Sequence, residues 1–516
     1  MSPASVADKP LTAAVAEAGS LSLWWFTWEA QSHTSILRLL LFNPNTNPST
    51  QCIDLKLSLL PQQSLLTMSF TERKSLIEIT VRVPVPRVLV DSDSPIHFKT
   101  FDDHIEVKLV LLIPVDHPLS DIDSILSLEQ NVDEIRPFSL DSDIKRLSCL
   151  EEVHVYCRNC SNKLTKSLRC FKEMPSVNWR DVADNWFGNC CCSFGGVSEK
   201  LVAEYAKSYI CTPGTCLLNT TSVLICKDDI LGCKFADKQN SEPDTANSEN
   251  GTLKKLADDN SLSGSLDALQ IEEKCDSENC DSGFCCSEIS SKVQMNEGNV
   301  ELLENQKVFL DGYLGNGFMI RSSGLSKNIR WIEFLCPQCS CLVGAYPCID
   351  DDNAPLDGGV RLFKCYISTC LLVNGSDDIF RNYTLERMFA SQLLESAEDE
   401  LSFKTIVRDM QTKSPLLQII LLNPNTWGCA GSLNSDEPAA KLVMHPNVKV
   451  LFSASGNGME VDSRELDEWV TKNQADEIYM FSTQILELIR VLELAKSLSP
   501  PSCTLLQGLA LSSMRR

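Results

Sequence analysis

Val153-His-Val-Tyr-Cys157-Arg-Asn-Cys160 and Trp331-Ile-Glu-Phe-Leu-Cys336-Pro-Gln-Cys339 share one pattern, an apolar strand-like run that feeds a Cys-x-x-Cys turn. Such a turn points both sulfurs at one place, and four soft thiolates suit tetrahedral Zn²⁺. Cys157, Cys160, Cys336 and Cys339 therefore read as one structural zinc site. The two halves are far apart in the chain. Closing a loop of roughly 175 residues costs on the order of 4–5 kcal/mol, whereas a structural zinc contributes roughly 10–16 kcal/mol at neutral pH. The metal would thus staple two distant segments. The alternative is two unrelated reduced pairs. A redox dithiol fits less well, because neither turn opens a helix after a strand–helix–strand pattern. His154, three residues before Cys157, reads as a partnered imidazole rather than a ligand.

Working outward, 516 residues suffice for two to four domains, each with its own core. A formal charge of −23 argues against nucleic acid or an anionic membrane as partner, since both require clustered Lys and Arg. Protein partners are expected instead. The amino terminus has no charged-then-apolar signal pattern, and the apolar runs at 39–42 and 109–115 are too short to span a bilayer. The expectation is a soluble intracellular protein, cytoplasmic and also nuclear. Its 24 cysteines should then be reduced, and thiols should mean metal, catalysis or packing.

The fold class expected is α+β, in three parts. β-rich runs at 22–28, 36–42, 76–83 and 105–113 suggest an antiparallel β-sandwich over 20–118. A linker with helical leanings follows at 120–150. The zinc-stapled β-rich middle covers 150–235 and 300–370. It is interrupted at 236–299 by an acidic, Ser- and Asn-rich insert that lacks the apolar surface to offset backbone ordering and is expected to be disordered. Cys275, Cys280, Cys285 and Cys286 within it read as surface thiols. The carboxy-terminal α+β module spans 375–516, with strands at 414–422 and 448–452 and one helix over 476–497 carrying Ile485, Leu488 and Leu492 on its apolar face. Asn43-Pro-Asn-Thr46 and Asn423-Pro-Asn-Thr426 each follow an apolar run, and turn chemistry accounts for both without a duplication.

Hydrolytic and phosphoryl-transfer classes lack their constellations: there is no Gly-x-Ser-x-Gly elbow, no Walker-type loop, and only six scattered histidines. Cysteine remains the interesting side chain. The triplet Cys190-Cys191-Cys192 after Trp186 reads as part of a metal site, a reactive thiol or buried packing. A free thiol is only a few per cent thiolate at neutral pH, yet it is nucleophilic enough to take an acyl group from another thioester. That exchange needs positioning more than a strong base.

The order Tyr156-Cys157-x-x-Cys160, Asn178-Trp179, Trp186 with its cysteines, Asp229-Ile-Leu-Gly232, Cys336-x-x-Cys339, Lys449-Val-Leu-Phe452 and Pro500-Pro501-Ser502 resembles the HECT-like ubiquitin-protein ligases, also described as ubiquitin-conjugating-enzyme-binding proteins. The likeness runs over most of the chain, and the acidic insert gives it the look of a plant member. What it implies is a ligase that takes ubiquitin from a conjugating enzyme and passes it to substrate lysines, its own included, with cyclin-type proteins as partners. The family segment that matches 229–235 is associated with recruiting the conjugating enzyme, which implies contacts through Ile230, Leu231 and Gly232. Where a HECT active site has Thr-Cys shortly before the carboxy terminus, this chain has Ser502-Cys503-Thr504-Leu-Leu506. Cys503 is thus implied as the catalytic acceptor by position and by the apolar residues after it. Cys336-Pro-Gln-Cys-Ser-Cys-Leu-Val-Gly344 also resembles the zinc-stapled β folds of the Yippee and Mis-eighteen type, which implies the rival reading of a non-catalytic zinc-stapled adaptor or assembly factor.

Overall fold

The computed structural model describes residues 24–74, 76–118, 138–177, 202, 204–233, 235, 303–349, 354–371, 375–433, 442–454, 468–472 and 475–516. The expectations for 236–299, for the 190–192 triplet, for residues 178, 179 and 186, and for most of the 120–150 linker lie outside them. Within the described residues the protein is α+β and built mainly on strands.

Strict alternation makes Trp24–Gln31 a strand: Trp24, Phe26, Trp28 and Ala30 turn inward while the residues between them are more exposed. It pairs antiparallel with Ile36–Phe42, which pairs with His104–Val110, which pairs with His97–Thr100. A separate antiparallel sheet of Cys52–Leu60, Leu65–Glu72 and Glu78–Pro84 adds Leu66, Met68, Phe70, Val81 and Val83 to the same core. The Trp28 indole N–H donates to Pro84 O at 2.9 Å across the two layers of this sandwich.

The larger layer continues into the end of the chain. Trp24–Gln31 pairs on its other side with the long strand Pro415–Leu433, from Trp24 opposite Leu433 to Gln31 opposite Thr426. The first and last parts of the sequence therefore share one eleven-stranded sheet, which also takes in Lys404–Asp409, His445–Ala454, Asp476–Met480 and Leu509–Arg515. Within the long strand, Asn423-Pro-Asn-Thr426 is a bulge, with register shifts on both sides of Asn423. Pro424 has no N–H for the ladder. In both Asn-Pro-Asn-Thr copies the second Asn donates its backbone N–H to the first Asn's side chain, at 2.9 and 2.8 Å.

Several elements differ from their expectations in extent: the run read at 22–28 is the strand Trp24–Gln31 within the described residues, and that read at 414–422 continues to Leu433. The stretch 476–497 is not one helix: Asp476–Met480 is a strand, parallel to Lys404–Asp409, and the helix runs from Ser482 to Ser497. Ile478, Tyr479 and Met480 are buried in consecutive positions, which a sheet covered on both faces accepts, and Phe481 is the extended residue at the helix start.

A second, six-stranded sheet organises the middle. Cys170–Glu173, Thr215–Leu218 and Ser222–Cys226 precede the insert; Gly359–Phe363, Leu342–Ile349 and Ile329–Leu335 follow it. The halves join where Ser222–Cys226 pairs antiparallel with Gly359–Phe363. Two buried cations brace this sheet. Arg361 pairs with Asp357 at 2.5 Å, bonds Tyr209 Oη and stacks on Trp331. Lys364 donates to Asp143 at 2.8 Å and so fastens the helix Leu140–Ser148 to the core.

Candidate metal centre and its neighbouring face

Both knuckles are built alike. Each leaves a strand, Tyr156–Cys157 in one case and Ile329–Leu335 in the other. In the first, Cys157 N–H donates to Asn162 O at 2.8 Å and Ser161 N–H to Cys157 O at 2.9 Å. In the second, Cys336 N–H donates to Cys341 O at 2.8 Å and Ser340 N–H to Cys336 O at 2.9 Å. Ser161 and Ser340 both adopt positive φ, 58° and 56°, which lets the chain turn back beneath its sulfurs.

The knuckles meet. Cys157 Sγ lies 3.7 Å from Cys339 Sγ and Cys160 Sγ lies 3.6 Å from Cys336 Sγ, and all four ligand atoms fall within 4.8 Å of one another. Zn–S bonds of about 2.3 Å in a tetrahedron place sulfurs about 3.8 Å apart. The group can therefore hold a metal ion and is compatible with zinc. Electrostatics agree with that donor set. Burial pushes the Cys157 thiol well up, and the charge of Cys336 adds to it. Burial also opposes the Cys339 thiolate, yet the Asn159 amide, the Cys341 N–H and the thiols of Cys160 and Cys336 bring it down to about 6. A divalent cation removes the repulsion that keeps the remaining protons on the cluster. His154 is not in the group: its Nε2 lies 3.2 Å from Lys163 Nζ. Cys341 stands just outside, its Sγ accepting from Asn159 Nδ2 at 3.2 Å.

The 229–235 segment lies against this centre. Asp229 is buried, accepts Gly214 N–H at 2.6 Å and offers its carbonyl to Lys166 N–H at 2.8 Å. Ile230 is also buried, bridged to Thr165, so it supports the loop from beneath rather than facing a partner. Leu231 donates its N–H to Leu164 O at 2.8 Å and is half-buried, and Gly232 is exposed with φ at +78°. A Cβ on Gly232 would meet Pro337 Cγ at 3.0 Å, so the glycine lets the loop touch the second knuckle. Leu231, Gly232, Pro337, Gln338, Asn162 and Lys163 line one shallow notch of about 290 Å³. The sequence motifs did not reveal that shared notch, because its walls come from three segments far apart in the chain, at 162–163, 231–232 and 337–338.

Cys503 lies elsewhere, in the 3₁₀ turn Pro501–Cys503. The neighbouring Ser502 donates both N–H and Oγ–H to Asp103, at 2.7 and 2.8 Å. His104 Nδ1 is 2.8 Å from Asp103 and 3.4 Å from Ser502 Oγ. Cys503 Sγ is 3.9 Å from Ser502 Oγ. Burial pushes its thiol above the ordinary value, and Asp103 and Glu29 add to that against Ser502 and Arg38. On the same sheet, a cavity of about 850 Å³ is lined by Arg381, Lys449, Arg515, Glu29, Glu386 and Trp427 among others, and no sequence motif pointed to it.

A mainly β α+β scaffold thus carries, beside an exposed loop, a group of four thiols that could hold a metal ion and is compatible with zinc. The family model for HECT-like ubiquitin-conjugating enzyme (E2)-binding proteins matches residues 44–510, and the chain belongs to that family. No curated protein and no solved structure matches the chain. Membership points to a ubiquitin-conjugating enzyme as the partner.

Proposed function

We propose that this protein is a ubiquitin-protein ligase. It docks a ubiquitin-charged conjugating enzyme on the face made by Leu231, Gly232 and the two zinc knuckles, and promotes transfer of ubiquitin to substrate lysines, its own included. The family match over 44–510 supports the partner. The single observation that carries the docking face is the notch, where the segment linked with recruitment abuts Pro337 and Gln338 of the second knuckle. Leu231 and Pro337 supply an apolar floor for a partner's side chain, and Asn162, Gln338 and Lys163 supply a polar rim, the usual anatomy of a protein interface. Zinc's role in this reading is structural: it fixes the knuckles against each other and so shapes the notch.

Two forms of the reaction differ in whether the chain holds ubiquitin. In the covalent form Cys503 Sγ attacks the thioester carbonyl, the conjugating enzyme's thiol leaves with the proton, and ubiquitin then passes to a lysine, with cyclin-type proteins as proposed substrates. In the second form the protein positions the charged enzyme and never holds ubiquitin. The raised Cys503 thiol favours this second form, because less thiolate is present at neutral pH. The test is to mix the full chain with ubiquitin-charged conjugating enzymes and resolve the products without reductant. A thiol-sensitive ubiquitin adduct lost in Cys503→Ala establishes the covalent form. Faster discharge with no adduct establishes the positioning form, and neither across a broad enzyme panel overturns ligase activity in favour of the adaptor.

A further inference from the structure

We propose that Cys211 and Cys226 form a second thiol site, a dithiol that hydrogen peroxide converts to a disulfide. The pair is assembled by a missing side chain. Cys226 ends the strand Ser222–Cys226 and lies directly opposite Gly359 in the neighbouring strand. Directly opposed residues of an antiparallel pair project to the same face, with Cβ atoms about 4.5–5.5 Å apart. Gly359 has no Cβ, and the space it leaves beside Cys226 is shared by Leu224 and Cys211: a Cβ on Gly359 would lie 2.5 Å from Leu224 Cδ1 and 2.8 Å from Cys211 Sγ.

Other contacts hold Cys211 there. Its Sγ is 3.5 Å from Gly358 O, and Tyr209, two residues earlier, is anchored to the buried Asp357–Arg361 pair. The influence of Cys211 draws the Cys226 thiol down to about 7, and that of Cys226, with burial, drives the Cys211 thiol far up. One sulfur is thus poised as nucleophile and the other as resolving thiol. Cys226 is buried and Cys211 half-buried.

The reaction balances as two thiols and one hydrogen peroxide giving one disulfide and two waters. Cys226 thiolate attacks one peroxide oxygen, an S–O bond forms, the O–O bond breaks, and the hydroxide released takes a proton to become water. Cys211 sulfur then attacks the sulfenic sulfur, the S–S bond forms, the S–O bond breaks, and the departing hydroxide leaves with the Cys211 proton. The loop so clamped carries Gly214, whose N–H donates to Asp229 just ahead of the notch residues.

Trypsin cleavage after Lys207 and Lys227 releases one peptide that holds Cys211, Cys216 and Cys226. Cys216 is an internal control, since it lies opposite Ile225 and is buried in the core on the other face of the sheet. The full chain is treated with hydrogen peroxide, denatured, blocked with N-ethylmaleimide and digested. The expected product carries one maleimide, on Cys216, and is two hydrogens lighter across Cys211 and Cys226; prior dithiothreitol restores three maleimides. Cys211→Ser should abolish the lighter species. Three maleimides after peroxide, or a bond that includes Cys216, overturns the proposal, and the wild-type readout decides it even if the variant folds poorly.

Discussion

Gly232 shows how one missing methyl group shapes a surface. Its φ of +78° is costly for any other residue, and Pro337 leaves only 3.0 Å for a Cβ. Gly232→Ala should therefore push the loop off the second knuckle. The expected result is conjugating-enzyme affinity lowered about fivefold to tenfold, within the range of single interface truncations, with bound zinc unchanged; calorimetric titration and metal analysis of one sample check both. Cys336 acts differently. It is buried, and its sulfur faces Cys160 at 3.6 Å. Cys336→Ser removes one thiolate of four, so metal content should fall and the middle sheet should melt at lower temperature. A variant that stays fully zinc-loaded by atomic emission would sink the shared site. These four thiols were legible in the sequence as a candidate metal group, because a Cys-x-x-Cys pair declares its geometry locally.

Elements were legible where one period dominates. The alternation of Trp24–Gln31 leaves no other reading, whereas Asp476–Ser497 mixes two, and its first five residues become a strand because Lys404–Asp409 offers them a parallel partner. The junction between that strand and the helix Ser482–Ser497 is tied by Asp409, which accepts Ser482 Oγ–H at 2.5 Å, Thr412 N–H at 2.7 Å and Thr412 Oγ–H at 2.8 Å. Burial opposes its charge, but these donors outweigh it and hold the carboxyl below its usual range. A depressed carboxyl contributes stability that is fully present above the unfolded value of about 3.9 and is lost as pH falls through the folded value. Asp409→Ala should cost about 2 kcal/mol at pH 7 from its lost charged hydrogen bonds. The gap from wild type should close in urea melts below about pH 3.9, and a gap independent of pH would refute the assignment.

At the scale of the whole molecule, the decisive feature is the sheet shared by the first and last parts of the chain. Eight register pairs join Trp24–Gln31 to residues 426–433, and Trp427, Cys429 and Leu433 pack on the core of the leading sandwich. A fragment of residues 375–516 alone would expose that strand edge and that apolar surface. It should lack a cooperative thermal transition and should associate in solution, as read by calorimetry and light scattering; a monomeric, sharply melting fragment would contradict this. Chelation should act on the middle differently. With the cluster stripped of metal, the two knuckles lose the bond that closes a long loop, and the thermal transition of the middle should fall and return when zinc is restored.

The sequence by itself determined the α+β class, the presence of the strands with clean alternation though not their edges, the four thiols that could hold a metal ion and the family resemblance, since each depends on residue type and short spacing. Tertiary structure alone decided that an early strand and a late one share a sheet, that Ile230 is buried while Leu231 is half-buried and Gly232 exposed beside the second knuckle, and that Leu224 and Cys211 share the space left by Gly359 beside Cys226. Each of these is a meeting of segments distant in sequence or paired only through the sheet. Register and burial, which set such meetings, depend on the whole core and not on any window of the chain.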